Sequence, residues 1–127
     1  MKILAMVCIF ALCGCSKEYQ HAEMGKDSPM GKKAAAMMQS IRSAGKEGLA
    51  EIVRRDGASG LNESQQAGLQ ATLEEIAAAD QAELIDMERF GDKVFRATIQ
   101  LAIGGKLQEF CMLMVLSGDE LKWAGKN

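Results

Sequence analysis

The ten residues from Val94 to Ile103 alternate with a period of two. Phe95, Ala97, Ile99, Leu101 and Ile103 fall on one side, and Val94, Arg96, Thr98, Gln100 and Ala102 on the other. That period belongs to a strand with one buried face, because successive strand side chains point to opposite sides of a sheet. Gly104-Gly105 follows at once, a pair suited to the left-handed backbone of a two-residue hairpin turn. Such a turn sets Ile103 opposite Lys106, Leu101 opposite Gln108, Ile99 opposite Phe110, Ala97 opposite Met112 and Phe95 opposite Met114. Directly opposed residues share a face, so the register gathers apolar side chains from both strands on one side.

Ser117-Gly118-Asp119-Glu120 supplies a second turn, which pairs Ser117 with Glu120, Leu116 with Leu121 and Met114 with Trp123. The result is a three-strand meander whose inner face carries Phe95, Ile99, Leu101, Phe110, Met112, Met114, Leu116, Leu121 and Trp123. A helix layer must cover a face of that kind. Residues 83–90 offer a fourth strand through Ile85 and Met87. A two-residue turn at Gly91-Asp92 would aim Asp86 and Glu88 inward, so an odd-length loop or a bulge is required there. The outer face is expected to carry Arg96, Thr98, Gln100, Glu109, Lys122 and Lys126 around Cys111, Leu113, Val115 and Ala124. An antiparallel sheet leaves one face wet, and this mixed patch fits that condition; homodimerisation through it is the alternative.

The covering helices are legible upstream. Ser28-Pro29 reads as an N-cap followed by proline at the first helical position, where its missing N–H costs nothing. Met30, Ala34, Met37, Met38 and Ile41 follow at helical spacing as a core stripe, with Gly45 expected to end the helix. Leu49, Ile52 and Val53 mark a second short helix stopping near Gly57. Asn62 and Gln65 form a capping-box pattern opening a third, buried through Leu69, Leu73 and Ile76. Glu74-Glu75 reads as solvated charge, since adjacent helical residues diverge by about 100°. The fold class is therefore α+β, with N-terminal helices packed on a C-terminal curved antiparallel meander of three to four strands.

The N-terminus is of a different kind. Residues 3–13 are all apolar or cysteine behind a single Lys2, which matches a secretory signal, and eleven residues cannot span a bilayer. Leu12-Cys13-Gly14-Cys15 at its end resembles the processing site of bacterial lipoproteins. That resemblance implies cleavage between Gly14 and Cys15, a diacylglycerol on the Cys15 thiol and acylation of the new amine. The alternative is an ordinary cleaved signal with Cys15 incidental. Two acyl chains suffice for stable anchoring. Ser16 is unlike the aspartate that keeps enteric lipoproteins in the inner membrane, which implies the outer membrane, facing the periplasm, in a Gram-negative cell. The expected division is 1–14 signal peptide, 15–27 lipidated N-terminus and polar tether, and 28–127 a single domain. The tether holds the only tyrosine and histidine, Tyr19 and His21.

Removing residues 1–14 from the 127-residue chain leaves 113, enough for one core and too few for two. Only Lys2 is lost among the charges, leaving 14 basic against 17 acidic residues, a net of −3 with the bases scattered. That argues against nucleic acid as a partner. Cys111 is the single cysteine left beside Cys15, and it reads as a small hydrophobe within an apolar run.

Helices followed by a meander, with Gly91-Asp92-Lys93-Val94 opening the first long strand and Gly118-Asp119-Glu120-Leu121-Lys122-Trp123 closing the last hairpin, resemble the nuclear transport factor 2-like, or cystatin-like, fold. The likeness spans residues 28–127 and is narrowest with small bacterial lipoproteins of that fold. Enzymes of the superfamily, of the ketosteroid isomerase or polyketide cyclase type, set an aspartate or histidine base and often a tyrosine inside the cone of helices and sheet. In this chain Tyr19 and His21 lie in the tether, so an enzyme would depend on carboxylates such as Asp86 or Glu88 with raised pKa. No phosphate loop, metal-ligand spacing or nucleophile elbow occurs. The expectation is a non-enzymatic, membrane-anchored module without catalytic residues, metal or cofactor. It binds a small apolar ligand or an envelope protein, with Phe95, Ile99, Phe110, Met112, Met114 and Trp123 as the ligand-facing or core residues.

Overall fold

The computed structural model describes residues 25–127. The processing site at Gly14 and Cys15, and Tyr19 and His21, lie outside the described residues. Two helices, α1 (Pro29–Asp56) and α2 (Glu63–Ala78), precede four strands, β1 (Gln81–Arg89), β2 (Val94–Ile103), β3 (Lys106–Ser117) and β4 (Glu120–Lys126). The strands form one open antiparallel sheet in the order β1-β2-β3-β4. This is the expected α+β arrangement.

Each helix begins where its capping chemistry places it. The Ser28 hydroxyl accepts from the Gly31 amide at 3.0 Å and donates to the Gly25 carbonyl at 2.7 Å, so one side chain joins the cap to the preceding turn. In α2 the Asn62 side chain accepts from the Gln65 amide at 2.8 Å, and the Gln65 side chain accepts from the Asn62 amide at 2.9 Å. Each bond satisfies a donor that the helix cannot reach itself. α1 is broken at Gly45, whose φ of 73° and ψ of 171° are not helical. Its two parts bury Ala34, Met38 and Ile41 before the break and Leu49, Ile52 and Val53 after it, and α2 buries Leu69, Leu73 and Ile76. α1 packs on both outer strands, β1 and β4, and α2 packs on α1 and β4.

The hairpin register is the expected one at every position from Ile103↔Lys106 to Phe95↔Met114, and Ser117↔Glu120, Leu116↔Leu121 and Met114↔Trp123 also pair. Two bulges alter what lies at the sheet's margins. In β1 the register shifts between Leu84 and Asp86, leaving Ile85 as the extra residue. Leu84 and Met87, three apart, therefore point to the core at 5% and 0% exposure, where Ile85 and Met87 were expected to share a face. Asp86 and Glu88 sit opposite Thr98 and Arg96 on the outer side. The β1–β2 connection is odd in length as well: the Phe90 amide bonds the Val94 carbonyl at 2.8 Å around Gly91, Asp92 and Lys93.

The second bulge corrects the outer-face placement of Lys126. The register shifts between Leu113 and Met114, so Ala124 is extra, Gly125 pairs with Leu113 and Lys126 with Met112. One inserted residue turns everything beyond it to the other face. Lys126 thereby reaches the helix side, with its ammonium 3.7 Å from the Glu75 carboxylate and 4.9 Å from the centre of the Phe110 ring.

Both sheet edges carry a further backbone contact. The Gly25 amide donates to the Met87 carbonyl at 2.6 Å on the β1 side, and the Ala58 amide to the Trp123 carbonyl at 2.8 Å on the β4 side. Such contacts occupy edge groups that would otherwise invite another strand.

Candidate functional site: the outer face of the sheet

The residues expected to face a ligand or to form the core belong mostly to the core. Phe95, Ile99, Met112, Met114 and Trp123 are 0–1% exposed and belong to one cluster with the buried residues of both helices. Phe110 is half-buried at the margin of that cluster, beneath Lys126. The open clefts of the surface are lined by other side chains. One of about 370 Å³ lies between α1 and the β3–β4 turn and holds Lys33, Met37, Arg55, Asp56 and Lys122. Its cations are engaged by neighbours: Lys33 donates to the Asp119 carbonyl at 3.0 Å, Arg55 pairs with Asp56 at 2.9 Å, and Lys122 donates to the Arg55 carbonyl at 2.7 Å. The Asp56 carboxylate accepts from the Arg55 guanidinium and raises its pKa further.

The outer face of the sheet has a different make-up. Cross-strand pairing sets Arg96 beside Leu113, Thr98 beside Cys111, and Val94 beside Val115. Leu113, Val115 and Cys111 are half-buried, while Val94 and Phe90 are 38% and 53% exposed. Arg96 stands within this apolar group. Its Nε donates to the Glu88 carboxylate at 3.0 Å, a second nitrogen pairs with the same oxygen, and the guanidinium carbon lies 4.7 Å from the centre of the Phe90 ring. The hydrogen bond to Glu88, aided by the charge of that carboxylate, outweighs partial burial and raises the Arg96 pKa. A guanidinium held by a carboxylate and stacked on an aromatic face is fixed in orientation, which lysine could not match.

Acids dominate the margin of the patch. Asp86 lies opposite Thr98, and Glu83 and Glu109 flank Gln100 from either side. Asp86 accepts from the Met87 amide at 2.8 Å, and Glu83 and Glu109 have no ion pair among the described residues. Arg96 is matched by Glu88 and Lys122 by Glu120, so these three carboxylates leave the face with surplus negative charge. Cys111 Sγ is 3.7 Å from Thr98 Oγ1 and half-buried, with no histidine among the described residues to activate it.

The structure does not bring Asp86 and Glu88 between helices and sheet, where an acid or base of the cone type would stand. Among the described residues no group of three or more His, Cys, Asp or Glu side chains is placed to hold a metal ion, and no helix is long and apolar enough to cross a membrane. The exposure of Phe90 escaped the sequence reading, because the odd-length loop and the bulge were left as alternatives and they assign that side chain to opposite faces. No family model, no curated protein and no solved structure matches this chain.

Proposed function

We propose that the chain is a lipid-anchored, non-catalytic binding module that docks an envelope protein through the outer face of its sheet. The observation that carries this reading is the group of Phe90, Val94, Leu113, Val115 and Cys111, half-buried to exposed, around an oriented Arg96. Protein interfaces combine an apolar centre with aromatic and arginine anchors and a polar rim, and this face has all three. The methionine-rich inner face, by contrast, is closed by α1 and α2, which favours a protein partner over a small apolar ligand. Surplus charge at Glu83, Asp86 and Glu109 selects a partner with basic groups over a second copy, because a second copy would bring the same surplus to the interface. Anchoring at Cys15 keeps the module at the membrane, where such a partner resides, and the resemblance to nuclear transport factor 2-like lipoproteins belongs to the same proposal.

The test is thiol accessibility in the envelope. A Val115→Cys, Cys111→Ser variant reacts with a membrane-impermeant maleimide when purified and is protected in intact envelope preparations. A Gln70→Cys, Cys111→Ser variant, altered on α2, reacts in both. Equal reactivity at position 115 in both settings would contradict docking through this face.

A further inference from the structure

We infer that the tip of the β2–β3 hairpin, residues 103–107, is a second membrane contact that dips into the headgroup layer of the bilayer holding the lipid anchor. The inference rests on the anchored reading above and adds how the domain sits on its membrane.

The hairpin outruns its neighbours. β4 pairs with β3 only from Met112 to Ser117, and the Asn127 amide reaches no further than the Cys111 carbonyl, so β3 residues 106–110 have no β4 partner. β1 pairs with β2 from Phe95 to Ala102 and stops there. Beyond that point the tip is apolar on both sides. Ile103, on the inner side by alternation, is 42% exposed, and Leu107, on the outer side, is 67% exposed. Between them lie Gly104 and Gly105, which have no side chains, and Lys106. The turn is braced from behind: the Gly104 amide donates to the Asp80 carboxylate at 3.0 Å, and the Asp80 amide to the Ala102 carbonyl at 2.8 Å.

Two large apolar side chains at the end of a projecting hairpin, with an ammonium between them, match the interfacial layer of a bilayer. There apolar groups enter the acyl boundary and cations meet lipid phosphates. Reach permits it. Gly25 is fixed beside Met87, which pairs with Ala97, and Gly104 lies seven residues further along, so the tip stands about 23 Å along the strand from the point where the chain enters the domain. Nine residues lie between Cys15 and Gly25, and a stretch of that length spans at most about 35 Å from one to the other, so anchor and tip can reach one bilayer together. An anchored domain meets the bilayer at high effective concentration, and a contact of two side chains that would be too weak in solution suffices to set its orientation.

The full chain, expressed in a bacterium and purified with its lipid, tests this. Radiolabelled palmitate incorporation, with Cys15→Ser as control, reads the anchor. An environment-sensitive fluorophore on Leu107→Cys in the Cys111→Ser background, reconstituted into vesicles of phosphatidylethanolamine and phosphatidylglycerol, reads the tip. The expected result is a blue shift at position 107 that lipids carrying a nitroxide on the acyl chain quench, with no shift for the same label on Lys93→Cys at the other end of the sheet. Palmitate incorporation with a water-like label at position 107 would overturn the tip contact and leave the anchor standing. Absence of incorporation would overturn the anchor and the inference together. A blue shift that nitroxide lipids do not quench and that grows with protein concentration would assign the tip to a second copy of the chain and overturn the bilayer contact.

Discussion

Arg42 on α1 donates to the main-chain carbonyl of Ile76 near the end of α2, at 2.9 Å and across 34 residues of chain. The same guanidinium reaches the carbonyls of Ala79 at 3.0 Å and Asp80 at 3.2 Å. The last carbonyls of a helix have no partner within it, and a cation there also opposes the negative end of the helix dipole. One side chain thus fastens the two helices together and holds the start of β1. Arg42→Ala is expected to lower stability by about 1–3 kcal/mol in urea unfolding, the usual scale for hydrogen bonds from a charged donor. Arg42→Lys recovers only part of this, since an ammonium has no fork to span three carbonyls.

Two glycines respond in opposite directions. A Cβ on Gly31 would stand 2.5 Å from the carbonyl oxygens of Gly25 and Lys26, both backbone, so Gly31→Ala has to push the turn away from the helix. Gly68, in the middle of α2, has nothing within 4 Å of its virtual Cβ. Thermal unfolding is expected to show Gly31→Ala destabilised by about 1–3 kcal/mol. Gly68→Ala is expected to gain about 0.5–1 kcal/mol, because alanine has less backbone freedom to lose on folding.

Trp123 is fully buried and its indole Nε1 has no hydrogen-bond partner among the described residues. A buried donor left unpaired costs about 1–3 kcal/mol, and phenylalanine removes that donor while keeping most of the apolar bulk. Trp123→Phe is therefore expected to be nearly neutral by chemical denaturation, where Trp123→Ala loses about 3–5 kcal/mol through the cavity it opens. Equal losses for the two substitutions would show that the indole itself, and not the bulk it fills, holds the site.

The sheet was readable from the sequence because a single turn fixes a whole register: once Gly104-Gly105 is a two-residue turn, ten residue pairs follow, and all of them occur. The caps at Ser28 and Asn62 were readable for a similar reason, being local. What escaped was set by inserted residues and by distance along the chain. Ile85 and Ala124 have no local signature as bulges, yet each turns its strand over, and Lys126 changes faces in consequence. Arg42 carries no sign of its role because its acceptors lie more than 30 residues away. The outer-face group is only half legible: Leu113, Val115 and Cys111 follow from alternation, whereas Phe90 depends on the length of the β1–β2 loop.

Leu113→Asp places a carboxylate on the docking face beside Arg96 without touching the helix-facing core. It is expected to leave the circular dichroism spectrum and unfolding midpoint close to those of the parent. Protection of position 115 in the envelope is expected to fall to the level seen in the purified protein, since a carboxylate at the apolar centre of an interface is costly to strip of water.

Photo-crosslinking within intact cells tests the outer-face interface most directly, with a benzophenone amino acid in place of Val94 in the full chain. Docking of a basic envelope protein predicts one discrete heavier adduct that disappears when Leu113→Asp is added and is absent when the benzophenone replaces Gln70 on α2. No adduct from position 94, or an adduct only between two copies of the chain, would contradict it.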